Sequence, residues 1–117
     1  MRVLLIEDNE DSASTLRQLL ETNGHQVRVQ TTGLYAVDSV KAFMPDVVLC
    51  DLGLPDKDGF VVASEIRAAL GADSPRLIAL TGYGTSVDRD RSRKAGFDEH
   101  LTKPVPFDIL QRALTVN

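Results

Sequence analysis

The sequence predicts an α/β fold in which five parallel strands alternate with five helices, and helices cover both faces of the sheet. Three observations predict it. The runs Val3-Leu4-Leu5-Ile6, Val47-Val48-Leu49-Cys50 and Leu77-Ile78-Ala79-Leu80 lack polar alternation, as strands buried on both faces do. The segments between them carry apolar residues at helical spacing. Strand and helix then alternate along the whole chain without a linker, internal repeat or low-complexity stretch, which is the pattern of a parallel sheet built by crossovers.

Arg2 to Ile6 forms the first strand, closed by Glu7 and Asp8. Asn9 is placed to cap a helix striped by Ala13, Leu16, Leu19 and Leu20, and Asn23-Gly24 stops it. Gln26 to Thr31 alternates around Val27 and Val29, which suits a strand nearer the sheet edge. Ala36, Val37, Val40 and Phe43 stripe a second helix that ends before Pro45. Val47 to Cys50 is the central strand, which stops at Asp51 and opens into a loop punctuated by Gly53, Pro55 and Asp58-Gly59. Val62, Ala63, Ile66, Ala69 and Leu70 mark a third helix, separated by Gly71 and Pro75 from the strand Leu77 to Leu80 and its terminal Thr81. Thr85-Ser86-Val87-Asp88 has the form of a capping box. It opens a fourth helix so crowded by Asp88, Arg89, Asp90, Arg91, Arg93 and Lys94 that loose packing and mobility are expected. Gly96 ends this helix, a short strand from His100 to Thr102 leads to Lys103-Pro104, and Phe107, Leu110, Ala113 and Leu114 stripe the last helix. One domain over residues 1–117 is expected, with the flavodoxin-like (βα)5 strand order 2-1-3-4-5 and a ligand site at the switch between the first and third strands.

The composition excludes several classes. Hydrophobic residues at 43% and charged residues at 26% are ordinary for a folded soluble chain. Thirteen Lys and Arg against 17 Asp and Glu give a net charge of −4, without the basic surplus of a duplex nucleic-acid surface. The single cysteine, Cys50, allows no internal disulfide and no cysteine-rich zinc site. No run approaches the ~20 apolar residues of a membrane span, and Val3 to Ile6 is too short for a signal-peptide core. A cytoplasmic location is expected, including as part of a membrane-tethered parent protein.

The strand order brings four strand ends to one rim: Glu7-Asp8, Asp51, Thr81 and Lys103. Three acids this close repel by about 1–4 kcal/mol per pair at 4 Å. A hard divalent cation relieves that repulsion, and oxygen-only ligands suit Mg²⁺. Asp8 and Asp51 are assigned as direct ligands, the backbone carbonyl of Gly53 as a third, and Glu7 as a more distant or water-mediated partner. Lys103 is a point charge suited to a phosphoryl oxygen and is expected to pair with Asp51 in the free state. A cis bond to Pro104 would aim its ammonium inward. Asp51 is then a nucleophile for phosphoryl transfer, with Mg²⁺ and Lys103 neutralising the transferring group. Thr81 offers a hydroxyl to the phosphoryl oxygen, and Gly82 leaves the approach open. Drawing Thr81 toward the new charge empties space for a neighbouring side chain, a local event that biases a two-state element.

Four motifs, Leu5-Ile6-Glu7-Asp8-Asn9, the stretch from Asp51 to Gly59, Leu80-Thr81-Gly82-Tyr83 and Lys103-Pro104, make the chain resemble the receiver domain of two-component response regulators along its whole length. The resemblance implies phosphotransfer to Asp51 from a histidine kinase or histidine phosphotransfer protein, Mg²⁺ dependence and slow self-dephosphorylation. It also implies signalling, to an output partner or a second copy, through the fourth helix, fifth strand and fifth helix. The Leu-Thr-Gly-Tyr-Gly stretch and the Ala95-Gly96-Phe97-Asp98 turn look most like receivers of hybrid histidine kinases. His100 stands where the family usually has a switch aromatic; it is either a rotamer switch with a titratable charge or a plain surface imidazole. Tyr83 and Gly53 flank the site, where they either tune hydrolysis or, for Tyr83, simply form an exposed loop aromatic. No effector domain follows Asn117, so a stand-alone receiver and a piece of a larger protein are equally compatible.

Other classes fit less well. A phosphohydrolase of the haloacid dehalogenase type needs a second acid two residues after the nucleophile, where Gly53 stands. A flavodoxin-like cofactor binder would set an FMN phosphate against carboxylates, and no Ser/Thr-rich phosphate loop follows the first strand. A receiver that binds partners without phosphorylation would have little use for the intact acid set. The chain is therefore expected to be a signalling domain that assists its own phosphorylation rather than a dedicated enzyme.

Overall fold

The computed structural model describes residues 1–82 and 86–115, the side chains of 86–88 excepted. Tyr83 and the expected capping box over residues 85–88 fall outside what is described. Five strands, β1 (Arg2–Ile6), β2 (Gln26–Gln30), β3 (Val47–Asp51), β4 (Arg76–Thr81) and β5 (Glu99–Thr102), alternate with α1 (Glu10–Thr22), α2 (Ala36–Phe43), α3 (Gly59–Leu70), α4 (Ser86–Ala95) and α5 (Phe107–Thr115). All pairings are parallel and the order is β2-β1-β3-β4-β5.

The pleat explains why the central strands are apolar throughout. Val3 and Leu5 of β1, Val47 and Leu49 of β3, and Ile78 and Leu80 of β4 face α1 and α5 in one buried cluster. Leu4 and Ile6, Val48 and Cys50, and Leu77 and Ala79 face α2 and α3 in the other. Alternate residues thus serve opposite cores, and burying each large apolar side chain contributes about 1.5–3 kcal/mol. Cys50 is one of these core residues and is buried. Strand β2 lies at the edge, as its alternation predicts.

Local signals set the boundaries. Asn9 caps α1 by accepting from the Ser12 amide at 2.9 Å, and Asp58 caps α3 by accepting from the Phe60 amide at 2.9 Å. Met44, in the left-handed region, ends α2 before Pro45. Two expected stripe positions, Leu19 and Ala69, are exposed: each helix presents only part of its apolar arc to the sheet. The segment Gly71–Asp73 adds a short 3-10 turn before β4. The guanidinium groups of Arg2 and Arg28 stack on Phe43, at 4.4 and 4.7 Å from its ring centre.

Helix α4 matches the expectation of sparse apolar packing. Among its residues from Arg89 to Ala95, Ser92 alone is buried. Polar contacts attach it: Arg91 stacks on Phe60 at 4.2 Å and pairs with Asp58 at 3.3 Å, and Ser64 donates to the Ala95 carbonyl at 3.3 Å. Gly96 follows with φ +114, a conformation that favours glycine.

At the start of α3 the backbone approaches closely. A Cβ on Gly59 would stand 2.9 Å from the Leu52 Cα and 3.0 Å from the Asp51 carbonyl oxygen. Neither atom can swing aside, so Gly59→Ala is expected to destabilise the fold by about 1–3 kcal/mol despite the better helix propensity of alanine. Urea unfolding of the two proteins measures it, and an unchanged midpoint would show that the loop gives way.

Candidate functional site

The C-terminal ends of β1, β3, β4 and β5 meet at one rim. Glu7 prolongs the β1 ladder by one residue, its amide donating to the Gln30 carbonyl at 2.9 Å. It is only 5% exposed. Asp51 ends β3 and is half-buried, and Asp8 beside Glu7 is exposed. One carboxylate oxygen from each of Glu7, Asp8 and Asp51 lies within 4.8 Å of the others.

Lys103, reached by a cis peptide bond to Pro104, projects into this cluster. Its Nζ donates to Asp51 Oδ2 at 2.9 Å and to Glu7 Oε1 at 3.0 Å. The expected partner Asp51 is found, and Glu7, assigned from the sequence to a more distant position about the cation, is a second partner of Lys103. The other Asp51 oxygen accepts from the Gly53 amide at 2.7 Å. Thr81 is buried at the end of β4, and its carbonyl accepts from the Lys103 amide at 2.7 Å. His100 lies on β5, half-buried, with Nδ1 2.8 Å from Ser92 Oγ of α4. It is therefore tied to the neighbouring helix and is not a plain surface imidazole.

Two acids facing one ammonium produce unequal carboxylates. Burial pushes the Glu7 carboxyl up from 4.5 to about 7, and the adjacent Asp51 adds to the rise while Lys103 opposes it. Burial also raises Asp51, but hydrogen bonds from Glu7, the Gly53 amide and Lys103 outweigh it and hold Asp51 below its usual range. Burial depresses Lys103, and its two carboxylate partners more than restore it, so its ammonium is held above the usual value. Asp51 is thereby ionised at neutral pH, as a nucleophile must be.

Glu7 Oε2 is buried without a hydrogen-bond donor among the described residues. A proton or a cation satisfies such an atom. An oxygen-only donor set with one such atom and one exposed carboxylate fits a hard divalent cation that retains waters.

The model of the response regulator receiver domain matches residues 3–115. The chain belongs to the response regulator receiver family. It is 29% identical over 103 residues to the polar-differentiation response regulator DivK of Brucella ovis, covering 88% of this chain and 84% of that one. Among solved structures, the receiver domain of the sensor histidine kinase PA1611 of Pseudomonas aeruginosa, with a magnesium ion in its active-site cleft, superposes with a TM-score of 0.86. It is 34% identical, over 97% of this chain and 93% of that one. A Burkholderia pseudomallei response regulator with a phosphorylated aspartic acid, a calcium ion and citrate superposes with a TM-score of 0.88 at 30% identity, over 99% of this chain and 67% of that one. The receiver fold and its place in two-component signalling follow for this chain. No described helix is long and apolar enough to cross a membrane.

Proposed function

We propose that this receiver is the phosphoacceptor of a two-component phosphorelay, with Asp51 as the residue modified. The observation that carries the reading is the shared contact of Lys103 Nζ with Asp51 and Glu7 beside an acidic cluster drawn from two strand ends. An Asp51 oxygen attacks the phosphorus of a phosphohistidine on a histidine kinase or phosphotransfer protein. The P–O bond forms as the P–N bond breaks, and the departing imidazole takes a proton from water. Lys103 leaves Asp51 for the phosphoryl oxygens and keeps Glu7 as its second partner. Asp8, Asp51 and the Gly53 carbonyl would hold Mg²⁺, with Glu7 acting through water. When bound, the ion supplies positive charge against the oxygens of the transferring group.

Thr81 donates its hydroxyl to the new phosphoryl group, and the change passes through β5 to His100 and the α4–β5–α5 face, where an output partner or a second copy docks. The domain acts in the cytoplasm, free or carried by a membrane-tethered hybrid kinase. It assists its own phosphorylation and dephosphorylation and does not bind nucleic acid directly.

Incubation with acetyl phosphate and Mg²⁺, followed by intact mass and borohydride trapping, tests the reading. One phosphoryl group should appear, map to Asp51 and be absent in EDTA. Labelling at another residue, or none, would overturn it.

A further inference from the structure

A groove of about 670 Å³ lies between α1 and α5, a volume usual for sites that hold small molecules. Glu7 and Lys103 border it at the rim, and beyond them its walls are largely apolar, with Leu16 and Leu19 on α1 and Val105 and Leu110 on the α5 side. Ser12 also lines it, so the groove follows α1 from Ser12 to Leu19, about 10 Å along the helix axis. Leu19 is 43% exposed here, while Leu20 beside it is fully buried. An apolar side chain left open on a concave wall gains by contact with an apolar guest.

Lys103 joins this groove to the rim chemistry. Its Nζ stands 2.9 Å from Asp51 Oδ2, and the same side chain borders the groove, which Asp51 does not line. In an in-line displacement the leaving group departs from the side of the phosphorus away from the nucleophile. A phosphoryl group attacked by Asp51 and held by Lys103 therefore has its leaving group on the side where the groove begins. Acetyl phosphate offers that trough a single methyl group and leaves most of it to water.

We propose that the α1–α5 groove holds the apolar chain of a small acyl phosphate, so that this receiver takes donors with chains of several carbons in preference to acetyl phosphate. The inference rests on Asp51 being the phosphoacceptor and adds the class of small donor that suits it. An Asp51 oxygen forms a bond to phosphorus as the bond from phosphorus to the acyl oxygen breaks. The carboxylate leaves with that electron pair and needs no proton at neutral pH. Leu16, Leu19 and Val105 set the preference by covering the chain, while Lys103 holds the phosphoryl oxygens. Binding of this kind is made equally in the ground and transition states, so it appears in the rate at low donor concentration. A fully buried methylene strengthens binding about fourfold. Hexanoyl phosphate has four more methylenes than acetyl phosphate, and half-burial of these in an open groove gives about a tenfold preference.

The test compares initial labelling rates with acetyl phosphate and hexanoyl phosphate at equal low concentrations and saturating Mg²⁺, read by intact mass. The two donors share the same reacting group, so the ratio of their rates reports the chain alone. Hexanoyl phosphate should label about tenfold faster. Leu19→Gln exchanges an exposed helix residue for another good helix former and should lower that ratio at least about threefold, with an unchanged circular dichroism spectrum. Labelling by both donors at equal rates would overturn the inference while leaving Asp51 as phosphoacceptor, and would leave the groove to a protein surface. A preference undiminished in Leu19→Gln would put the chain elsewhere and overturn it too. Labelling by neither donor would remove the phosphoacceptor reading and this inference with it.

Discussion

Asp51→Ala is expected to abolish phosphoryl labelling by acetyl phosphate completely while leaving the fold close to its parental stability. The substitution removes the only proposed nucleophile, and the remaining acids cannot replace it. Glu7 is buried and raised to about 7, so it is a poor nucleophile at neutral pH, and Lys103 donates to Asp51 and Glu7 rather than to Asp8 among the described residues. Stability changes little because two effects oppose one another. The charged hydrogen bonds to Lys103 and the Gly53 amide are lost, at about 1.5–3 kcal/mol for a bond to a charged group. Repulsion between Asp51 and its acidic neighbours, of the same order, disappears with them. Lys103 keeps Glu7 as its partner. Intact mass after acetyl phosphate treatment and urea unfolding measure the two halves. A retained label would move the phosphoacceptor elsewhere, and a large loss of stability would mean that Asp51 holds the loop.

Glu7→Gln is expected to flatten the pH dependence of stability of the metal-free protein and to make it more stable above pH 7. The folded chain holds a proton on Glu7 up to about pH 7, whereas the unfolded chain releases it near 4.5. Between these values the folded state binds more protons, so stability falls as pH rises. The full shift corresponds to about 3 kcal/mol at 1.36 kcal/mol per unit. Asp51 contributes in the opposite sense, but its window lies below the usual aspartate value, and that of Lys103 lies above the usual lysine value. Glutamine keeps an acceptor for Lys103 and does not titrate. Urea unfolding in EDTA at pH 5 and pH 8 should show a loss of about 1–3 kcal/mol in the parent and a much smaller one in the variant. Parallel curves would place the Glu7 proton release outside this range.

Much of the architecture was legible because buried parallel strands print themselves as apolar runs and their ends as charges. The Lys103–Asp51 pair followed from strand order alone. The contact of Glu7 with Lys103 was missed because Glu7 lies one residue beyond the apolar run. Extending the pleat to it would have placed it on the same face as Leu5, where it is found. The pairing of Asp58 with Arg91 carries no local signal, since it joins residues 33 apart. The attachment of α4 was hidden for another reason: a helix held by Ser92 and arginine contacts has no apolar stripe to read. The stacking of Arg2 and Arg28 on Phe43 likewise joins three elements that no periodicity links.

Strand β5 is four residues long and, among the described residues, is the last strand of the sheet, hydrogen-bonded to β4 alone. The rim residues Thr81 and Lys103 are joined by a backbone bond just past its end. A pull on either one therefore loads the margin of the sheet, where one ladder resists displacement instead of two. The compliant border of the molecule, not its rigid middle, is where a chemical event at the rim is most cheaply turned into a change of shape.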